Sequence, residues 1–387
     1  MRIVYLDNNA TTRVAPEAVE AMLPFLKEQY GNPSSMHTFG GEVGAPVEHA
    51  RAAVAKLVGA ERASEIVFTS CGTEADSTAI LSALNTQPDK NHIITTRVEH
   101  PAVRSLAFHL RRKGVQVTEI PVDSSGLIDP RDVERAITKN TAIVSIMAAN
   151  NETGVRFPIA EIGRTARAHG VLFHTDAVQL VGKDVIDVEA MAVDFLALSG
   201  HKIHAPKGIG ALYVRRGTRF RPFLIGGHQE RGRRGGTEAV PNVVALGRAA
   251  ELALEHLEGE QTRVRALRDR LERGLLDAIP SSRVNGDLVQ RLPNTTNVSF
   301  EHVEGEAILL MMSDLGMAAS SGSACTSGSL EPSHVLRAMG IPYTFAHGSI
   351  RYSLSRYSTD EDVDYVLEHM PPIIARLREI SPFWKSN

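Results

Sequence analysis

The sequence predicts an α/β fold with a mainly parallel sheet in a large N-terminal part and a smaller α+β module at the C-terminus. Between about residue 65 and residue 215, short β-rich runs alternate with helix-like segments, which is the pattern of parallel strands connected by helices. Most of these runs are continuously apolar or β-branched, which favours strands that helices cover on both faces. The chain has 387 residues and exceeds the usual size of a single core. We therefore expect two domains.

Each predicted element has its own stretch of sequence. The strands of the main sheet are expected at residues 65–70, 92–96, 115–122, 142–147, 171–174, 195–198 and 210–214. One long helical region is expected from residue 242 to about residue 279. The C-terminal module would contain strands near 295–300 and 350–354 and helices near 306–315 and 360–380. We place the boundary near residue 260, with residues 14–260 in the large domain and residues 1–13 and 261–387 in the small one, although residues 7–13 can fold against either part.

Composition and charge exclude several classes of protein. The apolar fraction of 43% and the charged fraction of 22% are typical of a soluble globular chain, and a net charge of −3 gives no reason to expect nucleic acid or an anionic membrane as partner. No apolar run is long enough to span a bilayer, and the start of the chain has no leader pattern. Two cysteines, Cys71 and Cys325, make no disulfide framework, so we expect a reducing compartment, the cytoplasm. The fifteen histidines show no HExxH or CxxC spacing, which predicts no permanent metal site.

Two residues at strand ends predict a cofactor crevice. Lys202 follows the strand at 195–198 in Ser-Gly-His-Lys, where burial would lower its pKa and make the amine a nucleophile. Lysine is also the residue that forms a Schiff base with pyridoxal phosphate. Asp176 ends another apolar strand 26 residues earlier and could pair with a protonated pyridine nitrogen. A solvated loop lysine and a helix N-cap aspartate are the alternative interpretations.

A third pattern would bind a phosphate. Gly72 and Thr73 stand between a strand and a probable helix, where glycine permits close backbone approach and the helix N-terminus attracts anions. Ser199 and His201 would add further donors to the same group. His100 could lie flat over a pyridine ring, although a single loop histidine is more often structural. No dinucleotide fingerprint or Walker A loop competes with this interpretation.

Cys325 lies in a run of small residues, Ala-Ala-Ser-Ser-Gly-Ser-Ala-Cys-Thr-Ser-Gly-Ser, at positions 318–329. Serine and glycine give a backbone many accessible conformations, so such a run is typical of a movable arm rather than of a packed element. The thiol is therefore either a small filler or a nucleophile. The cofactor pattern described above favours the nucleophile.

A series of motifs gives the chain a family resemblance from Tyr5 to Trp384. The motifs occur at residues 5–12 (YLDNNATT), 31–35 (GNPSS), 68–74 (FTSCGTE), 150–152 (NNE), 199–202 (SGHK), 320–327 (SSGSACTS) and 349–351 (SIR). The chain thereby resembles the cysteine desulfurases of the NifS/IscS family, which are pyridoxal-phosphate-dependent enzymes of the class V aminotransferase fold (fold type I). The sequences at 226–234 (GGHQERGRR) and 325–334 (CTSGSLEPSH) are similar to those of the NifS branch.

The resemblance implies a role for each matching residue. Cys325, Lys202 and His100 would be catalytic, and Asn151 and Arg351 would hold the substrate carboxylate. Lys202 would hold the cofactor, and Thr237 would reach the cofactor of the neighbouring subunit. The implied cofactor-binding residues are Gly72, Thr73, His100, Asn151, Asp176, Gln179, Ser199, His201, Lys202 and Thr237.

The resemblance also implies a reaction and partners. L-cysteine would lose its sulfur to the Cys325 thiolate, which leaves a persulfide on the protein and releases L-alanine. A cytoplasmic homodimer would deliver this sulfur to an iron–sulfur scaffold protein of the NifU/IscU type, with nitrogenase maturation as the expected purpose. Cys325 could then be a transient ligand of the iron–sulfur cluster.

Three alternatives stay open on sequence grounds. A selenocysteine lyase shares the fold and cofactor but does not need a thiol on a long arm. A class V aminotransferase would release a keto acid and would not need Cys325. A sulfur-relay scaffold without turnover would need neither Lys202, Asp176 nor Arg351, so the presence of all three argues against it.

Overall fold

The computed structural model of the protein describes residues 2–321 and 331–384. The strands in chain order are β1 (Val4–Tyr5), β2 (Ile66–Thr69), β3 (His92–Thr96), β4 (Gln116–Ile120), β5 (Thr141–Ser145), β6 (Leu172–Asp176), β7 (Phe195–Ser199), β8 (Gly210–Val214), β9 (Ser282–Val284), β10 (Thr295–Phe300), β11 (Met317–Ala318) and β12 (Ser349–Ser353). The helices are α1 (Pro16–Lys27), α2 (Thr38–Gly41), α3 (Gly44–Val58), α4 (Gly72–Thr86), α5 (Pro101–Arg112), α6 (Pro130–Ala136), α7 (Ile159–Ala168), α8 (Gln229–Gly232), α9 (Val240–Glu255), α10 (Leu257–Gly259), α11 (Arg265–Ala278), α12 (Gly305–Asp314), α13 (His334–Ala338), α14 (Tyr343–Ala346) and α15 (Asp360–Ile380).

The large sheet has the strand order β2-β8-β7-β6-β5-β3-β4 in the part of the chain that the structure describes. The pairs from β7 to β4 are parallel, whereas β8 runs antiparallel to both β7 and β2. The predicted mainly parallel sheet is therefore confirmed. Because parallel strands bring their carboxyl ends to one edge, Asp176 at the end of β6 and Ser199 at the end of β7 are neighbours.

The remaining strands form two smaller sheets within the described residues. Strands β12, β10 and β9 make an antiparallel sheet, and β1 pairs in parallel with β11. The apolar faces of α11, α12 and α15 pack there into a second core that also contains Val4 and Leu6. The C-terminal α+β module is confirmed in this form, while a domain boundary at residue 260 stays a prediction.

The N-terminal segment 7–12 contacts both cores. Its backbone pairs with Ser353 of β12, since Asn8 N donates to Ser353 O at 3.1 Å and Ser353 N donates to Leu6 O at 2.7 Å. At its other end, Thr12 N donates to His201 O at 3.0 Å beyond β7. Sequence left open which part this segment joins, and the structure shows that it connects the two.

The predicted helical region 242–279 is not one continuous α-helix. It divides into α9, α10 and α11, with a π-helical turn at Glu260–Val264. Glu260 is buried in this turn, and its Oε1 lies 3.5 Å from Nζ of the equally buried Lys183. The buried pair of Glu260 and Lys183 lies at this π-helical turn, which is wider than a turn of α-helix. Sequence periodicity could not predict such a turn.

Candidate active site

A cavity of about 200 Å³ opens where β6 and β7 end. Most of the sequence-predicted site residues line it together: Gly72, Thr73, His100, Asn151, Asp176, Gln179, Ser199, His201 and Lys202. They come from the ends of neighbouring strands and from the start of α4, so the sheet order itself brings them together. Five further residues line it that sequence reasoning did not assign to it, namely Ala10, Cys71, Asp76, Met147 and Val178.

One end of the cavity is formed by the N-terminus of α4. The backbone of Cys71 is extended at the N-cap and its side chain makes no capping hydrogen bond, so the first N–H groups of this 15-residue helix are available to an anion. A Cβ atom on Gly72 would lie 2.8 Å from Cγ2 of Val178, which explains why glycine is needed here. The carboxylate of Glu74 in the first turn would repel an anion only weakly, because it is paired with Arg234, whose Nε donates to it at 2.9 Å.

Ser199, the last residue of β7, lies near the same end, since a Cβ atom on Gly72 would be 3.5 Å from its Cβ, and His201 lines the cavity from the turn that follows. His201 Nδ1 lies 3.2 Å from Oγ1 of Thr11. Burial, together with the nearby Lys202 and Lys207 cations, lowers the pKa of His201 to about 4. The ring is therefore neutral at pH 7 and would bind an anion as a hydrogen-bond donor rather than as a cation.

Asp176 lines the cavity and is buried. Its Oδ1 accepts from N of Val178 at 2.9 Å, so it caps a turn, and no helix follows it as an N-cap aspartate would require. Burial raises the pKa of this carboxyl, while His100 and Lys202 act in the opposite direction. A cationic ring nitrogen bound here would offset the cost of burying the ionised form.

Lys202 is held by the N-terminal segment. Its Nζ donates to O of Asn9 and, at 2.9 Å, to O of Ala10. Gln179 Nε2 also donates to O of Asn9, at 3.0 Å. The amine is thus half-buried at the cavity wall with carbonyl oxygens as partners, and the alternative of a freely solvated lysine does not describe it.

His100 is the N-cap of α5 and faces Asp176 and Lys202. Its Nδ1 accepts from N of Ala102 at 3.2 Å, which assigns the proton of the neutral ring to Nε2. Burial lowers the pKa of His100, so the neutral ring is favoured. The preceding Glu99 is fully buried, and burial raises its pKa to about 8 although Met147 N and Thr96 Oγ1 donate to it.

Arg351 lies beside the cavity rather than in its wall. Its Nη1 donates to O of Asn151 at 2.9 Å, and its Nη2 donates to Oδ1 of Asp7 at 2.7 Å. Its Nε is buried and has no hydrogen-bond partner among the described residues. Asn151 connects this guanidinium to the cavity, and Nδ2 of Asn9 donates to the same Asn151 oxygen at 3.2 Å.

Thr237 is not among the residues that line this cavity. Thr237 lines a separate cavity with Ser70, Gly208 and Arg234. Cys325 lies outside the described residues.

Asp76 and Asp7 are site residues that sequence reasoning missed. Asp76 is buried and lines the cavity, and burial raises its pKa well above the ordinary value. Its Oδ1 lies 3.4 Å from Nε2 of the buried His174 and makes no hydrogen bond among the described residues. Its position four residues after Gly72 places both on one face of α4, and this spacing could have predicted Asp76 at the site. Asp7 belongs to the YLDNNATT motif, but nothing in that motif indicates that Arg351 is its partner.

The residues present fit pyridoxal phosphate. A helix N-terminus and the hydroxyl and imidazole donors suit the phosphate, buried Asp176 suits the ring nitrogen, and the amine of Lys202 reaches the same cavity. No group of three or more potential metal ligands occurs among residues 2–321 and 331–384. No helix in those two ranges is long and apolar enough to cross a membrane.

Comparisons with known proteins agree with this chemistry. The family described as Aminotransferase class-V matches residues 4–366. The chain is 59% identical over its full length to "Cysteine desulfurase NifS" of Azotobacter vinelandii, 96% of which is covered, and 62% identical over 99% of its length to "Cysteine desulfurase 2" of Trichormus variabilis, with the same share of that relative covered.

Solved structures give the same result. A structure titled "NIFS-LIKE PROTEIN" is 40% identical and superimposes with a TM-score of 0.91, covering 97% of this chain and all of the other. Another, titled "SspA in complex with cysteine", is 36% identical, with a TM-score of 0.82 over 92% of this chain and 99% of the other. The chain therefore belongs to the class V aminotransferase family and, within it, to the pyridoxal-phosphate-dependent cysteine desulfurases of the NifS type.

Proposed function

We propose that this enzyme transfers the sulfur of L-cysteine to Cys325 and releases L-alanine. The observation that carries the proposal is the cavity in which Lys202, Asp176 and His100 meet, with Arg351 beside it. The names of the relatives and the cysteine complex of a structurally similar protein support the choice of substrate.

The residues of the cavity divide into groups that would hold the cofactor at different points. We assign Asp176 to the ring nitrogen, Gln179 to the ring oxygen, and His100 to the ring face. The phosphate would be bound by Thr73, Ser199 and His201 together with the backbone at Gly72. Lys202 would hold the cofactor covalently through its amine. The bound cofactor would supply an electron sink for the pair left when a substrate Cα–H bond breaks.

The substrate carboxylate is assigned to Arg351 and Asn151. A planar guanidinium matches the two oxygens of a carboxylate better than an ammonium does. Arg351 is buried, so its attraction for a carboxylate is weakly screened. Binding of the carboxylate by Arg351 and Asn151 would orient the substrate so that its Cα lies toward Lys202.

The chemical steps need three proton- or sulfur-transferring groups of this chain. Lys202 would take the proton from the substrate Cα and later return it. The Cys325 thiolate attacks the substrate sulfur; a sulfur–sulfur bond forms on Cys325, the carbon–sulfur bond breaks, and its electron pair passes to the substrate carbon. Protonation of that carbon and return of a proton to Cα complete L-alanine. His100, neutral and carrying its proton on Nε2, is suited to donate a proton in this sequence.

We also propose the setting in which the sulfur is used. The enzyme would be a cytoplasmic homodimer, with Thr237 contributing to the cofactor site of the neighbouring subunit. An iron–sulfur scaffold protein of the NifU/IscU type would accept the sulfur from Cys325, which could be a transient cluster ligand there, and nitrogenase maturation would be the purpose. The NifS wording of the sequence and the similarity to the NifS of Azotobacter vinelandii support this setting.

One assay tests the chemistry. The purified protein, loaded with pyridoxal phosphate, is given L-cysteine without a reductant, and alanine and persulfide are measured in the first turnover. We expect equal amounts of alanine and of persulfide located on Cys325 by mass spectrometry. Release of a keto acid, or alanine formation without a persulfide on Cys325, would contradict the proposal. L-selenocysteine, given in parallel, measures the preference for sulfur.

A further inference from the structure

The guanidinium of Arg351 is already engaged on one side. Asp7 Oδ1 accepts from Nη2 at 2.7 Å, and the two side chains are 21% and 7% exposed, respectively. The Asn151 carbonyl accepts from Nη1. Among the described residues, these contacts leave the buried Nε and one hydrogen on each terminal nitrogen without a partner.

Asp7 is itself firmly placed. Hydrogen bonds from its neighbours to β12 fix the backbone on both sides, through Leu6 and Asn8 to Ser353. Arg351 and Ser353 are two residues apart on β12 and therefore point to the same face of that strand. The carboxylate thus meets the guanidinium from a fixed backbone rather than from a mobile loop.

We propose that Asp7 is a positioning residue that orients the Arg351 guanidinium for the substrate carboxylate. The inference rests on the proposed role of Arg351 and adds a residue to it. An exposed ion pair would contribute little, but here the arginine is buried and an aspartate anchored 344 residues away in the chain fixes the plane of its fork. A guanidinium held in one plane loses less entropy when it binds a second carboxylate.

The test measures carboxylate recognition without turnover. The pyridoxal-phosphate-loaded enzyme is titrated with L-alanine, which carries the carboxylate, and with L-alaninamide, which lacks it, and binding is followed by the absorbance of the bound cofactor. The readout is the ratio of the two affinities. A general loss of structure weakens both ligands equally, whereas a misplaced guanidinium weakens only L-alanine.

We expect Asp7→Ala to lower the preference for L-alanine about tenfold, the effect of losing one hydrogen bond to a charged group. The KM for L-cysteine should rise by a similar factor while kcat stays close to the wild-type value. Asp7→Asn keeps an acceptor oxygen and should stay within about threefold of wild type. Asp7→Ser, whose side chain is too short for this contact, is a second variant with the same expectation as Asp7→Ala.

Asp194→Ala serves as a matched control, because it removes an aspartate whose Oδ1 accepts from Arg215 Nε at 2.8 Å next to the opposite end of β7. It should lower the melting temperature and leave the ligand preference unchanged. A wild-type preference in Asp7→Ala and Asp7→Ser, or an equal loss for both ligands, would overturn the inference. If Arg351→Ala also kept the wild-type preference, the proposed role of Arg351 would fail with it.

Discussion

The two ends of the active site are built in different ways. Apart from Ala10, the residues that line the cofactor end lie between Cys71 and Lys202, and most of them stand at the ends of adjacent parallel strands. The substrate end joins Asp7, Asn151 and Arg351, which are far apart in sequence and meet where the N-terminal segment connects the two cores. This difference suggests that cofactor binding and substrate recognition can be separated by mutation.

The largest effect should come from the cofactor end. Lys202→Ala removes the amine that holds the cofactor and moves the substrate proton, so alanine formation should fall by at least about a thousandfold. Lys207→Ala, which changes an exposed lysine of the same loop, is the control and should stay near wild type. Steady-state alanine production measures both. Substantial turnover by Lys202→Ala would show that the cofactor end does not take part in the reaction.

Cys325→Ala tests whether the nucleophile is separate from both ends. Persulfide on the protein should disappear, while L-alanine should still change the absorbance of the bound cofactor with wild-type affinity, because neither end of the cavity is altered. Cys71→Ala controls for loss of a thiol at the cavity wall and should keep persulfide formation. Unchanged sulfide release by Cys325→Ala would argue against the thiol.

Arg351→Lys probes the substrate end alone. The ammonium keeps the charge but loses the planar fork, so the KM for L-cysteine should rise about ten- to a hundredfold with a smaller change in kcat. The affinity for pyridoxal phosphate should stay the same. Initial-rate kinetics and a cofactor titration give both values, and a loss confined to kcat would place Arg351 elsewhere in the mechanism.

The smallest expected effect is on stability and concerns Glu99, the buried residue before His100 at the cofactor end. Burial raises the pKa of Glu99 to about 8, above the value of about 4.3 expected in an unfolded chain. The folded state then binds the extra proton between these values, so wild-type stability falls as pH rises through that range. Glu99→Gln removes this loss and should gain stability relative to wild type by up to about 1.4 kcal/mol per pH unit over that range.

Melting temperatures of both proteins between pH 5 and pH 8 check this trend. Glu28→Gln, at an exposed position after α1, controls for the loss of one carboxylate. A stability difference between Glu99→Gln and wild type that stays constant with pH would show that Glu99 is not buried in its protonated form.

The sequence predicted the cofactor end better than the substrate end for a physical reason. Apolar strands followed by Asp176 and by Ser-Gly-His-Lys202 are local patterns, and parallel pairing brings such strand ends together. The contact of Asp7 with Arg351 depends on pairing between β12 and the N-terminal segment, which no local pattern encodes. The irregular turn at Glu260 was missed for the same reason, because its buried partner Lys183 is distant in sequence.

One measurement tests the separation of the two ends most directly. Affinities for pyridoxal phosphate and for L-alanine are determined for the wild type, Asp176→Asn and Arg351→Ala. Asp176→Asn removes the charged partner of the ring nitrogen and should weaken the cofactor about tenfold or more. Arg351→Ala should weaken L-alanine by a similar factor and leave the cofactor affinity unchanged. Equal weakening of the cofactor by both variants would contradict the account, because the two ends would then act as one unit.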